Sequence, residues 1–350
     1  MRVAHNRILA VGLAVLTLSL LTNLFSVNSS ADDQSQTKPQ LQKPKQQEPK
    51  QQDQQDDQGP VVKLGTALVV LDVTVVDQSN NPVMDMAQNN FQVFEDKVQQ
   101  EIKFFSREQV PVSLVFTIDT SGSMRSKLDT VIKASSNIVK ESRAGDEMAV
   151  IEFKDQPELL EEFTADTMDV IDTLQSLVAS RQTAMLDALY IAADYANKEG
   201  KNRRKAVIVV TDGLDKDSYY KFNDVVDHLR EADVQVYLIG FTGDLDKDSG
   251  LFKKSAKDKA EGLLTKLAEE TGGKAFFPKE ISETHAIAQQ ISTDLRTQYS
   301  IGYYPTNSKK DGTFRAVKVQ VSAGNRRIVA RTRNGYTAPR EGEPHTSVNK

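Results

Sequence analysis

From Val61 onward the chain changes its hydrophobic rhythm twice. Leu68–Val76 (LVVLDVTVV) is rich in β-branched residues and runs into the turn-forming Gln78-Ser79-Asn80-Asn81-Pro82, which predicts a strand closed by a tight turn. Shorter runs at Phe91–Phe94 and Glu101–Phe105 predict two further strands. After Pro111 four near-continuous apolar runs appear: Ser113–Ile118 (SLVFTI), Met148–Phe153 (MAVIEF), Ala206–Val210 (AVIVV) and Val234–Phe241 (VQVYLIGF). Stretches of helical spacing separate or follow them at Lys127–Lys140, Thr167–Leu177, Ala184–Asn197, Asn223–Arg230 and Glu261–Glu270, the last stopped by Gly272-Gly273. Strands apolar on both faces and alternating with helices predict an α/β fold, an open, mostly parallel, doubly wound sheet. From Tyr299 the texture reverts to strands, at Tyr299–Tyr304, Ala316–Val321 and Arg327–Thr332, with a polar turn over Asn307–Gly312. The segments 61–110 and 299–338 thus flank an α/β region at 111–298. Each is short and would leave strand edges unpaired, so the two are expected to pack as one all-β subdomain.

The ends of the chain follow other rules. Arg2 and Arg7 precede an apolar run from Ile8, and Ser29-Ser30-Ala31 supplies small residues for cleavage, so residues 1–31 read as an export signal. An uncleaved anchor is the alternative, since Ile8–Val27 is 20 residues long, near the ~20 that span a bilayer. Thr22, Asn23 and Ser26 weaken its far end and favour cleavage. Both readings place the remainder outside the cytoplasm, with membrane contact only through an uncleaved N-terminal segment. Residues 32–60 hold eleven glutamines, four prolines and one large apolar residue, Leu41, and are expected to be a disordered linker. The tail 339–350 is expected to be disordered as well.

Composition narrows the chemistry. An apolar fraction of 39% with 27% charged residues excludes a polytopic membrane protein. The absence of cysteine excludes disulfides, thiolate zinc sites and a cysteine nucleophile. The four histidines, His5, His228, His285 and His345, show no metal-ligand spacing. A net charge of −5, falling to −7 if the signal is removed, and the lack of a long basic run argue against nucleic acid.

In an open α/β sheet ligands bind outside the carboxyl ends of the strands. Two of those ends carry aspartates: Asp119 after SLVFTI and Asp212 after AVIVVT. Asp119-Thr120-Ser121-Gly122-Ser123 sets two hydroxyls at alternate positions beyond the carboxylate, and Gly122 is expected to let the loop fold tightly. Hard cations such as Mg2+ take oxygen ligands at ~2.0–2.1 Å. Asp and Ser after a strand also serve as helix caps, so capping and metal binding are level for this motif alone. The second strand-end carboxylate tips the balance to a metal.

With these residues in view, 111–295 resembles the von Willebrand factor type A domain and its metal ion-dependent adhesion site. DTSGSM at 119–124 is the most specific match; Gln182-Thr183-Ala184-Met185-Leu186-Asp187-Ala188 resembles the family's second loop, with Gln182 in place of glycine, and VVTDG at 209–213 resembles its third. The resemblance implies an ion held by Asp119, Ser121, Ser123, Thr183 and Asp212, with Mg2+ the first choice and Mn2+ or Ca2+ the alternatives. It implies direct binding by Ser121, Ser123 and often Thr183, and by the aspartates directly or through water. Changing Thr211, on the strand side of Asp212, to Ala is not expected to mimic the loss of Thr183. The flanks resemble bacterial exported proteins of the same family.

Other signals carry less. Asp244-x-Asp246-x-Asp248 alternates acids as a calcium loop does, but Ser249 and Ser255 stand where such a loop needs glycine and glutamate, so a solvated acidic loop is expected. Asp215-Lys216-Asp217 is expected to lead into the helix that follows. No serine sits in a nucleophile elbow, and no general base completes a hydrolase. The reading is a non-enzymatic, exported adhesion or protein-interaction module that binds an acidic side chain of a protein partner through a divalent cation. The alternative is an envelope assembly component whose metal site is vestigial or only stabilising.

Overall fold

The β-rich start of the chain forms β1 (Val69–Asp77), β2 (Phe91–Glu95), β3 (Val98–Gln100) and β4 (Ile102–Ser106). The strand–helix rhythm then gives β5 (Val112–Asp119), α1 (Leu128–Lys140), β6 (Glu147–Phe153), β7 (Pro157–Thr164), α2 (Thr167–Gln175), α3 (Met185–Glu199), β8 (Arg204–Thr211), α4 (Phe222–Ala232), β9 (Gln235–Gly240), α5 (Ala256–Thr271), β10 (Lys274–Phe276) and α6 (Glu283–Arg296). The chain closes with β11 (Gln298–Tyr303), β12 (Phe314–Val321), β13 (Ile328–Arg331) and β14 (Gly335–Thr337). This computed structural model describes residues 67–341 except Glu108, Arg181, 249–254 and Ile281. The export segment, the linker and the end of the tail lie outside the described residues.

The four apolar runs form the centre of a sheet of the expected kind, to which β7 and β10, not read from the sequence, add the two edges, in the order β10-β9-β8-β5-β6-β7. Neighbours are parallel except β7, which returns antiparallel along β6. Every residue of β5, β6 and β9 is buried, because helices cover both faces. On one face α1, α2 and α6 lay Val131, Ile138, Leu174 and Ile291 against Leu114, Phe116, Val150 and Ile208. On the other α3, α4 and α5 lay Leu189, Ala192, Leu229 and Leu264 against Val115, Ile151, Val207 and Val236. Each buried Val, Leu, Ile or Phe among them contributes roughly 1.5–3 kcal/mol, so the two layers anchor the sheet. Strand β7 escapes the apolar-run reading because it is an edge. Pro157, Glu158, Glu161 and Glu162 blunt it against further pairing. Gly272, left-handed at φ 77°, ends α5 as the sequence implied.

The two flanks interleave. One four-stranded antiparallel sheet runs β13-β1-β11-β4 and a second runs β14-β12-β2-β3, so each draws strands from both ends of the chain. Register is fixed from Val69 opposite Tyr303 to Thr74 opposite Gln298, and from Phe91 opposite Val321 to Glu95 opposite Val317. Leu71, Val73, Val75, Phe91, Val93, Tyr299 and Ile301 share the core between the sheets. The fold class read from the pattern, a parallel α/β sheet with an all-β companion, is therefore what the chain adopts.

The companion rests against the amino ends of β8 and β9. There Arg204, 1% exposed, pairs with Asp72 of β1 at 3.2 Å and donates to the Leu295 carbonyl at 2.7 Å. Arg331 of β13 pairs with Asp294 at 2.6 Å, and the Gln298 amide donates to Gln235 at 2.9 Å. The carboxyl ends of the parallel strands are at the opposite edge. From β5 the chain runs to β6 and β7 on one side and then crosses to β8 on the other. The strand order therefore reverses between β5 and β8, which opens the crevice where such sheets bind ligands.

Candidate metal centre

Asp119 is the last residue of β5, and Asp212 directly follows β8, so the two carboxylates stand on adjoining strands at the reversal point. Both are buried, at 0% and 1% exposure. Asp119 accepts from the Ser121 amide at 2.9 Å and from the Thr211 hydroxyl at 2.7 Å. Asp212 accepts from the Leu214 amide at 3.1 Å. Among the described residues no lysine, arginine or histidine pairs with either. Burial pushes the Asp119 carboxyl up to about 6, against the pull of the Ser121 and Thr211 hydrogen bonds, and the charge of Asp212 adds to the rise.

The loop beyond Asp119 is a single 3-10 turn at Gly122–Met124, closed by the Met124 amide on the Ser121 carbonyl at 3.0 Å. Met124 is fully buried in the core and pins the turn from beneath. Neither Ser121 nor Lys127, at the starts of the turn and of α1, makes a side-chain cap bond, although Asp119 and Asp212 each accept the amide two residues on, as turn-capping carboxylates do. The Ser121 and Ser123 hydroxyls instead lie 3.1 Å apart. The glycine that needs its freedom is Gly213, at φ 79°, where a Cβ would meet that of Ala260 at 2.9 Å. Gly122 is not at positive φ; it opens the tight 3-10 turn.

Thr183 is brought in by a lacing between the start of α3 and the loop after Asp212. The Thr183 carbonyl accepts from the Lys216 and Asp217 amides at 3.1 and 3.2 Å. Asp215 accepts from the Met185 amide at 2.9 Å, and Asp187 accepts from the Tyr219 and Tyr220 amides at 3.0 and 2.9 Å. Asp215 thus caps α3 rather than leading into the next helix. The Thr183 hydroxyl makes one long bond, 3.3 Å, to the Leu214 carbonyl, within the segment that carries Asp212. Ser255, twelfth from Asp244, is the N-cap of α5, and Asp244 pairs with Lys127 at 3.1 Å. Among the described residues no group of three or more histidines and acids gathers as a metal cage.

Two buried carboxylates with no cationic partner among the described residues, beside hydroxyls that cap no helix, make an all-oxygen donor set suited to a hard divalent ion. Two residues escaped sequence reading. Thr211 donates to Asp119 across the β5–β8 pairing. Glu152, 7% exposed near the end of β6, accepts from the Thr120 hydroxyl at 3.0 Å and pairs with Lys154 at 2.7 Å. A carboxylate inside the apolar run MAVIEF was the available signal for the second. Nothing in the sequence marks the first, which depends on strand register.

Residues 114–214 match the family model of the von Willebrand factor type A domain. No curated protein matches the chain. Among solved structures, a von Willebrand factor type A protein from Catenulispora acidiphila is 12% identical, with 78% of this chain and 72% of that one covered and a TM-score of 0.44. The vWF domain of the type V pili tip protein Mfa5 from Porphyromonas gingivalis is 15% identical, covering 53% and 97%, at 0.42. Proximal thread matrix protein 1 from the mussel byssus, solved with a zinc-occupied MIDAS motif, is 18% identical, covering 56% and 48%, at 0.43.

Proposed function

On the premise that this chain carries a von Willebrand factor type A domain, we propose that it is an exported, non-enzymatic interaction module. It engages a protein partner through a divalent cation held by Asp119, Ser121, Ser123, Thr183 and Asp212, with Mg2+ the expected ion. The observation that carries the reading is the pair of buried carboxylates, Asp119 and Asp212, with which no lysine, arginine or histidine pairs among the described residues. Leaving such charges uncompensated costs several kcal/mol, and a bound cation offsets that cost.

The residues divide the work. Asp119 and Asp212 supply at most −2, and the hydroxyls of Ser121, Ser123 and Thr183 add oxygens without adding charge. A divalent ion in that shell supplies an electrophilic centre for a partner's carboxylate. Gly122 and Ser123 are exposed, so the turn presents this edge to solvent, away from the end where the β companion rests. Export is proposed from the charged start and apolar run of residues 1–31.

The test is capture from a cell-envelope extract on the immobilised protein. A partner that is retained in Mg2+, released by EDTA and lost with D119A supports the reading. A partner retained equally in both buffers contradicts it and favours an assembly role that does not use the ion.

A further inference from the structure

Glu152 is an oddity among its neighbours. It is a carboxylate on a strand whose every residue is buried, directly between Ile151 and Phe153. Neither of its oxygens is idle. Oε1 lies 2.7 Å from the Lys154 ammonium, and Oε2 accepts from the Thr120 hydroxyl at 3.0 Å. Thr120 is itself fully buried and stands between Asp119 and Ser121.

The backbone around this pair ties together loops that are remote in sequence. The Thr120 amide donates to the Phe153 carbonyl at 2.9 Å, and the Thr120 carbonyl accepts from the Ser180 amide at 2.7 Å. The Lys154 carbonyl accepts from the Ala184 amide, next to Thr183, at 2.7 Å. Thus the end of β6 grips the Asp119–Ser123 turn through Thr120 and the Thr183 loop through Ala184. The geometry points to Glu152 as a positioning residue. Its carboxylate, neutralised by Lys154 and bonded to Thr120, sets the turn so that Ser121, Ser123 and Thr183 converge on one ion. It does not touch the ion, because both of its oxygens are already engaged. The inference rests on the proposed metal reading and adds to it the device that holds two of its loops in register. Side chains that orient metal ligands in this indirect way typically change affinity by about 10–100-fold when removed.

The experiment measures Mn2+ affinity by calorimetry, together with amide exchange in EDTA, for T120V, T120S, E152A, E152Q and the double variant T120V/E152A. We expect T120V and E152A each to weaken Mn2+ on the order of tenfold and to speed exchange at the Ser180 and Ala184 amides. T120S keeps the hydroxyl and E152Q keeps an acceptor for it, so both should bind nearly as the unsubstituted protein does. The double variant should lose clearly less than the sum of the two single ones, because both remove the Thr120–Glu152 bond, while E152A alone also releases Lys154 and T120V alone also removes the 3.3 Å contact of the Thr120 hydroxyl with the Phe153 carbonyl. Unchanged affinity in T120V, or additive losses in the double variant, would overturn the inference while leaving the metal reading intact. A loss in E152Q as deep as in E152A would make Glu152 a ligand and overturn it also. If the unsubstituted protein takes up no Mn2+, the metal reading fails and this inference fails with it.

Discussion

Three acids at the amino end of the parallel sheet and the Asp119–Asp212 pair at its carboxyl end are treated in opposite ways. At the amino end three acids meet arginines: the half-buried Asp72 lies 3.0 and 3.2 Å from Arg203 and Arg204, and the buried Asp146 and Asp294 lie 2.6 Å from Arg296 and 2.6 Å from Arg331. At the carboxyl end Asp119 and Asp212 are buried as deeply, yet their partners are amides and one hydroxyl. The first pattern is charge satisfied within the protein, where it joins elements and fixes the β companion in place. The second leaves net negative charge in a crevice at the strand-order reversal. That charge is what distinguishes a site from a seam, since burial alone is common to both.

The contrast can be broken from either end. The largest effect is expected at the seam. Arg296→Met leaves Asp146 buried and unpaired, and urea unfolding should show a loss of about 3–5 kcal/mol with ion affinity unchanged. At the site the balance reverses. Asp119→Ala should weaken Mg2+ or Mn2+ on the order of 100-fold by calorimetry, as expected when a buried charged ligand is lost. Its urea midpoint in EDTA should stay at or above that of the unsubstituted protein, because a buried like-charge contact with Asp212 is gone. Thr183→Ala removes a neutral oxygen that water can replace, so a loss of about tenfold is expected in the same titration. Thr211→Val deletes one hydrogen bond to Asp119, worth about 1 kcal/mol, or roughly a fivefold loss of ion affinity. A seam variant that lost the ion, or a site variant that lost the fold, would erase the distinction.

Much of this was legible because the relevant signals are local. SLVFTI and AVIVVT are apolar on both faces, which identifies buried parallel strands, and an aspartate at the end of each is visible by inspection. Five of the six helices were visible from their spacing, four with ends within about two residues, while α5 begins five residues before the expected Glu261 and α6 (Glu283–Arg296) was not delimited. What stayed hidden needs the third dimension. The strand β7 alternates glutamates with apolar residues and does not look like the interior strands beside it. That each β sheet draws strands from both flanks follows from pairings more than 200 residues apart. The contacts of Thr211 with Asp119, and of Glu152 with Thr120, depend on which strand lies beside which. The lacing of Asp215 and Asp187 across two loops also links residues about 30 positions apart, which spacing along a helix cannot reveal.

The claim beneath all of this is that Asp119 and Asp212 are left for an ion to neutralise. It is tested most directly by titrating the purified, EDTA-treated protein with Mg2+ and Mn2+ in a calorimeter while following thermal unfolding in parallel. The account predicts one ion per chain, a melting temperature that rises with ion concentration as binding to the folded state requires, and loss of both signals in D119A. No heat of binding and no shift in melting, or signals that persist undiminished in D119A, would contradict it.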